Sequence, residues 1–98
     1  MCQIFAGQDP DDYATVHRSL RLNGQSTSIR LETSFWELLD TIAASEEMTT
    51  SGFISRLHSE VLLLHGEAQN FTSLLRCACL AYLKREAGLL DGMSVAAE

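Results

Sequence analysis

The sequence lacks the features that would place the protein in a membrane or give it a catalytic site. None of its apolar runs approaches the roughly 20 residues that a membrane-spanning helix needs, and the run at residues 61–64 is far too short. The sequence does not begin with a basic region followed by a long apolar stretch, so we expect no signal peptide and a cytoplasmic location. It also has no phosphate-binding glycine loop, nucleophile elbow or metalloprotease helix motif. We therefore expect no enzymatic activity.

Cysteine is scarce, with Cys2, Cys77 and Cys79 as its only examples. An odd number of cysteines without a secretory signal favours reduced thiols. Cys77 and Cys79 are two residues apart on a predicted helix, so their side chains point to nearly opposite faces and cannot bind one metal ion. We interpret them as small apolar residues in helix contacts, and we expect neither a metal site nor another cofactor.

Basic residues are also few, with seven Lys and Arg against 13 Asp and Glu and a formal net charge of −6. That sign opposes nucleic-acid binding, because attraction to the phosphate backbone dominates the affinity. The charges are unevenly distributed, however. Arg18, Arg21 and Arg30 lie around a predicted strand together with His17, whereas many acids lie in residues 9–12 and on helix faces. The sequence is therefore compatible with a local basic patch.

The chain is short enough for one small domain, and its organising segment is residues 24–39. Thr27, Ile29 and Leu31 alternate with polar residues, which predicts a half-buried β-strand. Helical spacing of apolar residues follows at once, and Ser34 with Glu37 three residues later forms a capping box. The residues predicted to be buried in this helix are Phe35, Leu38, Leu39 and Ile42. Trp36 is predicted to lie beside them at a packing border.

The same patterns predict three helices, over residues 35–45, 52–65 and 71–87. Thr49, Thr50 and Ser51 are available to cap the second helix. Because no acid lies in its first turn, the N–H groups there form an anion site at the positive end of the helix dipole. The third helix, capped by Asn70, is apolar over most of its circumference, which indicates an interface with another chain. Residues 91–98 are expected to fray.

Residues 13–22 leave two interpretations open. Asn23-Gly24 is the strongest short hairpin signal, so this segment could fold back and pair Leu20 with Thr27. One polar, basic face would then carry His17, Ser19, Arg21, Ser26, Ser28 and Arg30. A dimer would have four strands, although a major groove about 12 Å wide admits a two-stranded ribbon. The interpretation that we favour makes residues 16–24 a flexible arm.

Without such a hairpin, the strand at residues 27–32 has no partner in its own chain. A single strand cannot satisfy its own backbone groups, and even a two-stranded hairpin is marginal in water. We therefore predict a homodimer joined through this strand, with a larger oligomer left open. The predicted interface residues are Thr27, Ile29, Leu31, Leu75, Cys79 and Tyr82.

The sequences Thr27-Ser28-Ile29-Arg30-Leu31-Glu32, Phe35-Trp36 and Asn70-Phe71-Thr72-Ser73-Leu74-Leu75-Arg76 together resemble the ribbon-helix-helix family. The likeness is greatest to small bacterial proteins with this extended motif, and it covers nearly the whole chain. It implies a mainly α fold with a short β-ribbon. The expected arrangement is a ribbon-helix-helix domain with an additional C-terminal helix, in an intertwined dimer.

The resemblance also implies a function, that of a transcription regulator that binds double-stranded DNA. An antiparallel ribbon, one strand from each subunit, would lie in the major groove. Ser26, Ser28 and Arg30 would face the bases, with arginine able to bind guanine O6 and N7 together. The predicted phosphate contacts are Thr49, Thr50 and Ser51 at the second helix, with Arg18 and Arg21 from the arm.

The alternative is a protein–protein interaction module on the same dimeric fold. The acidic balance, the serines at the reading positions, Glu32 at the end of the ribbon and the apolar third helix favour it. A toxin-neutralising protein is one version. Such proteins usually carry a disordered binding tail, whereas the C-terminal third here predicts a packed helix. The family resemblance favours DNA.

Overall fold

The computed structural model describes residues 2–88, and the expected frayed tail at residues 91–98 lies outside this range. Two short helices, α1 (Cys2–Ala6) and α2 (Pro10–Tyr13), precede two strands, β1 (Thr15–Leu22) and β2 (Gln25–Glu32). Three longer helices follow, α3 (Thr33–Ser45), α4 (Thr50–His65) and α5 (Phe71–Glu86). The predicted mainly α fold, with a short β-ribbon followed by helices, is confirmed.

Residues 16–24 do not form a flexible arm, and the arm interpretation is wrong. β1 and β2 form an antiparallel hairpin that pairs Leu20 with Thr27 and Ser19 with Ser28. Asn23 and Gly24 make the turn with φ values of 54° and 85°, the two positive angles that a type I′ turn requires. β2 therefore has a partner within its own chain, and the argument that it needs a second copy for that reason also fails.

Which cross-strand pairs are hydrogen-bonded determines which side chains come closest across the hairpin. The amide of Thr33 donates to the carbonyl of Ala14 at 2.9 Å, just beyond the paired strands. Antiparallel pairs alternate between hydrogen-bonded and non-hydrogen-bonded ones, so His17 and Arg30 form a non-hydrogen-bonded pair, in which side chains approach most closely. The amide and carbonyl of Ser28 consequently point to the outer edge of β2. No third strand covers that edge within residues 2–88.

One face of the hairpin packs on the helices, and the core lies between them. The buried residues of this core are Leu20, Leu22, Ile29, Leu31, Trp36, Leu39, Ile42, Ile54, Leu75 and Cys79. Trp36 is 2 % exposed and its indole Nε1 donates to the carbonyl of Val16 at 2.9 Å, so it belongs to the core and not to a packing border. Phe35 and Leu38, predicted to be buried, are only half-buried. The helix is therefore turned slightly relative to the predicted stripe.

The ends of the helices follow the predictions only in part. Ser34 and Glu37 do not form a capping box, because the Ser34 hydroxyl donates to the carbonyl of Asp12 at 2.9 Å and ties α3 to α2. Thr49 caps α4 as expected, accepting from the amide of Gly52 at 3.0 Å. Asn70 precedes α5 but makes no side-chain cap. Only one of the three predicted local caps therefore forms.

Helix α5 packs on α3 and β2 of its own chain. Leu75 and Cys79 are fully buried, as predicted, while Tyr82 is half-buried. The Cys79 thiol lies 3.7 Å from the carbonyl of Phe35, and burial raises the pKa of this thiol to about 11. Cys77 is exposed on the other side of the helix. The sequence suggested that a second chain would bury α5. Its buried residues are instead covered largely by its own chain.

Candidate nucleic-acid interface

Strand alternation places a row of polar residues on the side of the hairpin that faces away from the helices, with Thr15 and Glu32 at its open end. We call the other six residues the hairpin face, and all six of their side chains are exposed: His17, Ser19, Arg21, Ser26, Ser28 and Arg30. They include the three predicted base-contacting residues and one of the predicted phosphate-contacting arginines. The sequence predicts His17 and Ser19 on this face only if a hairpin forms, and the Asn23-Gly24 turn is the signal for that hairpin.

The hairpin face is basic although the chain is acidic. Within residues 2–88, ion pairs occupy Arg18, Arg56 and Arg76, whereas neither arginine of the hairpin face has an acidic partner. Glu32 stands at the end of β2, where Arg76 of α5 binds it through Nε at 3.0 Å and Nη2 at 3.4 Å. Hydrogen bonds from Arg76 lower the pKa of Glu32, so this carboxylate is ionised and compensated. The objection from net charge does not apply to this surface.

The two arginines of the hairpin face are held by neutral groups. Nε of Arg30 donates to Nε2 of His17 at 2.6 Å across the two strands. Nη1 of Arg21 donates to the carbonyl of Gly24 at 2.9 Å in the turn. Neither contact neutralises the guanidinium charge. Both arginines therefore remain able to attract an anion or an acceptor-rich base edge.

Arg18 lies on the opposite face of the hairpin, apart from Arg21. Its Nη1 and Nη2 donate to Oδ1 and Oδ2 of Asp40 at 3.0 and 3.2 Å, and its guanidinium lies 4.5 Å from the centre of the Trp36 ring. Residues three apart on a strand project to opposite sides, which the arm interpretation did not take into account. Arg18 is thus directed at α3 in this chain.

The start of α4 is already close to a protein carboxylate. The Thr50 hydroxyl donates to Oδ1 of Asp40 at 2.6 Å, and hydrogen bonds from Arg18 and then Thr50 lower the pKa of Asp40. Thr49 is exposed and its side chain caps the helix, while Ser51 lies half-buried in the first turn. Of the three residues predicted to hold phosphate here, the Thr50 hydroxyl is therefore engaged within the chain.

The tip of the hairpin is anchored on α4. The side-chain amide of Asn23 receives a hydrogen bond from the Ser59 hydroxyl at 2.6 Å and lies 2.7 Å from Nδ1 of His58. His58 in turn meets the Phe71 ring edge to face, with 4.9 Å between ring centres. These contacts fix the hairpin relative to two helices, so the hairpin face is presented on a rigid support.

The residues predicted for the dimer interface are mostly covered by their own chain. Ile29, Leu31, Leu75 and Cys79 are buried within one protomer, and only Thr27 and Tyr82 are half-buried. Other large apolar side chains are incompletely covered at the border of the core: Phe35, Leu38, Phe53, Leu57, Phe71 and Tyr82. A groove beside the outer edge of β2 is lined by Thr27, Ser28, His58, Phe71 and Thr72, among others.

The described part of the chain shows two further absences. No helix between residues 2 and 88 has the length and apolar character that crossing a membrane requires. Nor does this part of the chain bring three or more His, Cys, Asp or Glu side chains together in a cluster that could hold a metal ion. The hairpin face is accordingly the surface with the clearest chemical character.

A β-ribbon followed by packed helices, with a polar basic surface on the ribbon, defines a ribbon-helix-helix protein. A family model described as a ribbon-helix-helix domain matches residues 15–83, and the chain belongs to that family. The family consists generally of DNA-binding transcription regulators, and its fold is not an enzymatic one.

One solved structure is similar over nearly the whole chain. It is that of an uncharacterized protein from Bordetella pertussis Tohama I, with a TM-score of 0.87 and 45% sequence identity. The match covers 90% of this chain and 70% of that one. No match was found among curated proteins.

Proposed function

We propose that this protein is a transcription regulator that binds double-stranded DNA in the cytoplasm through the hairpin face of a homodimer. The observation that carries the proposal is the concentration of uncompensated positive charge and small polar groups on that face of an acidic chain. Phosphate attraction supplies most of the affinity of DNA-binding proteins. The one acid next to it in β2, Glu32, is bound by Arg76. The hairpin face is therefore the surface that DNA would approach.

The dimer would form through the outer edge of β2. The backbone groups of Ser26, Ser28 and Arg30 point to that edge, where pairing with the same strand of a second copy would satisfy them. The groove beside this edge, which the half-buried Phe71 helps to line, supports an association at this side. The resulting sheet would have the order β1-β2-β2-β1.

Such a sheet meets a steric limit in the major groove. Strands lie about 4.8 Å apart, so the two outer strands would be separated by about 14 Å, against a groove about 12 Å wide. The central pair alone is narrow enough, and sheet twist turns the outer strands away from it. We therefore assign base contacts to Ser26, Ser28 and Arg30 on the central strands, and phosphate contacts at the groove edges to Arg21.

Arg30 is the residue on which sequence discrimination would depend. It can donate two hydrogen bonds to O6 and N7 of one guanine, whereas the serine hydroxyls bond to several base edges. Thr49 and Ser51 at the start of α4 would contribute phosphate contacts. Arg18 and Thr50, which bind Asp40, would act by holding this surface in place.

The test is selection of bound duplexes from a random pool near physiological salt, followed by titration of the selected site. Arg30→Ala should weaken specific binding by about 1–3 kcal/mol per contact and relax discrimination at one base position in each half-site. Arg56→Ala is the matched control, because it removes the same charge from the exposed side of α4, where Arg56 pairs with Glu60. If no site is enriched, or if the two variants behave alike, the DNA proposal fails and the protein-interaction alternative replaces it.

A further inference from the structure

The contact between Arg30 and His17 has a chemical requirement. Nε of arginine is always a donor, so Nε2 of His17, 2.6 Å away, must offer a lone pair. The imidazole is therefore neutral in this arrangement, with its proton on Nδ1. The two residues face each other as a non-hydrogen-bonded pair, the position at which cross-strand side chains come closest.

This contact also limits how Arg30 can bind a ligand. With Nε occupied, the guanidinium still has the N–H groups of Nη1 and Nη2, which point away from the side chain at its far end. An exposed arginine without such a partner samples many rotamers and loses that freedom when it binds. Because His17 already binds Nε, the orientation of the guanidinium is fixed before the protein binds DNA.

We propose that His17 is a positioning residue that fixes Arg30 for end-on binding to a guanine; this inference rests on the DNA-binding function proposed above. His17 belongs to β1, which the hairpin adds to the single strand expected from the family resemblance. The added strand thus has a function of its own, since it supplies the side chain that orients the base-reading arginine of β2.

Protonation of His17 would abolish the positioning. An imidazolium cannot accept from Arg30, and it adds a second positive charge opposite the guanidinium. The charged groups near this pair are Arg30 across the ladder and, at the end of β2, Glu32 with its partner Arg76 of α5. The positioning therefore requires a neutral side chain at position 17 that can accept a hydrogen bond from Arg30.

The experiment compares wild type, His17→Gln, His17→Ala and Arg30→Ala on the selected site and on a duplex with the contacted guanine replaced. His17→Ala should reduce the discrimination between the two duplexes about threefold to tenfold, the range expected from leaving one arginine to be ordered on binding. His17→Gln should restore it, because the amide oxygen accepts from Nε.

His65→Gln is the matched control, because His65 is exposed at the end of α4 and the same substitution is made there away from the hairpin face. It should leave the discrimination of wild type unchanged. If Arg30→Ala loses discrimination and His17→Ala keeps it, the positioning role is overturned while the proposed function stands. If wild type selects no site, the proposed function fails and the positioning role with it.

A measurement without DNA tests the geometry separately. The nitrogen shifts of His17 in the ¹⁵N-labelled protein at pH 8 should show the proton on Nδ1, and Arg30→Ala should shift that tautomer equilibrium. A proton found on Nε2 would overturn the inference whatever the DNA experiments give, because Nε2 could not then accept from Arg30.

Discussion

Arg18 and Asp40 form a bidentate ion pair that joins β1 to α3, with Nη1–Oδ1 and Nη2–Oδ2 distances of 3.0 and 3.2 Å. The hydroxyl of Thr50 reaches the same carboxylate from α4 at 2.6 Å. Three elements therefore meet at one side chain of α3. The ring of Trp36 covers the guanidinium from the core side, so this arginine serves the fold of the protomer.

The first prediction separates Arg18 from Arg21 by their response to salt. Arg21→Gln should reduce the salt dependence of DNA binding by roughly one counterion for each phosphate that the protein no longer neutralises. Arg18→Gln should leave that slope unchanged and lower the free energy of unfolding instead. Because both members of the Arg18–Asp40 pair are more than a third exposed, solvent screening limits the loss to about 1 kcal/mol. Titrations at several salt concentrations and urea melts measure the two effects, and a flattened slope for Arg18→Gln would place it on DNA after all.

The second prediction concerns stability in acid. The pKa of Asp40 is lowered in the folded chain by Arg18 and Thr50. A carboxyl whose pKa is lower when folded contributes stability above its unfolded pKa, and this contribution is lost as pH falls through its folded pKa. The urea concentration at the midpoint of wild-type unfolding should therefore decrease as the pH is lowered below about 4, the range in which unfolded aspartate is protonated. Asp40→Asn should be less stable than wild type at pH 7, and its urea midpoint should decrease less steeply in acid. Parallel plots of midpoint against pH for the two proteins would contradict this prediction.

The strand β2 and the three longer helices were predictable because their patterns are local. Alternation at residues 27–31 and the cap at Thr49 depend on residues within a few positions of one another. The two caps that do not form, at Ser34 and Asn70, give way to a contact with a distant part of the chain and to a left-handed backbone. A local sequence pattern could not predict either of these two features.

The candidate site was predictable for β2 and not for β1. The preference for an arm over a hairpin rests on the width of the major groove, a property of the assumed ligand and not of this chain. The turn residues Asn23 and Gly24 carry the better information. Once β1 is a strand, its period of two decides that Arg18 faces α3 while His17 faces Arg30.

The third prediction uses the two cysteines of α5. Cys77 is exposed and Cys79 is buried with its pKa raised to about 11, so very little thiolate forms at Cys79 near neutral pH. A maleimide reagent should label Cys77 rapidly in the native protein and Cys79 only at the rate of unfolding. The double variant Cys2→Ser, Cys77→Ser leaves Cys79 as the one thiol of the chain, and its labelling in urea is the reference for a fully accessible thiol. Rapid native labelling of Cys79 would mean that α5 does not pack as described.

The last prediction identifies the edge through which the protein dimerises. Ile29→Asp does not discriminate, because Ile29 is 4 % exposed within one protomer and its replacement would disrupt the fold with or without a partner. A proline at an outward-pointing amide is more selective. It removes a donor from the edge while leaving the hairpin ladder intact, since prolines are tolerated on edge strands when the missing N–H faces outward.

Ser28 and Ser19 are cross-strand partners on β2 and β1, and both amides point outward because their pair is a non-hydrogen-bonded one. Ser28→Pro should give a folded monomer, whereas Ser19→Pro, the matched control on the other edge, should remain a dimer. Sedimentation and circular dichroism measure mass and fold. The thermal midpoint of wild type and Ser19→Pro should rise with protein concentration, and that of Ser28→Pro should not, because association stabilises the folded state by mass action. The reverse result would place the dimer on β1, and two unchanged dimers would show that neither edge joins the subunits.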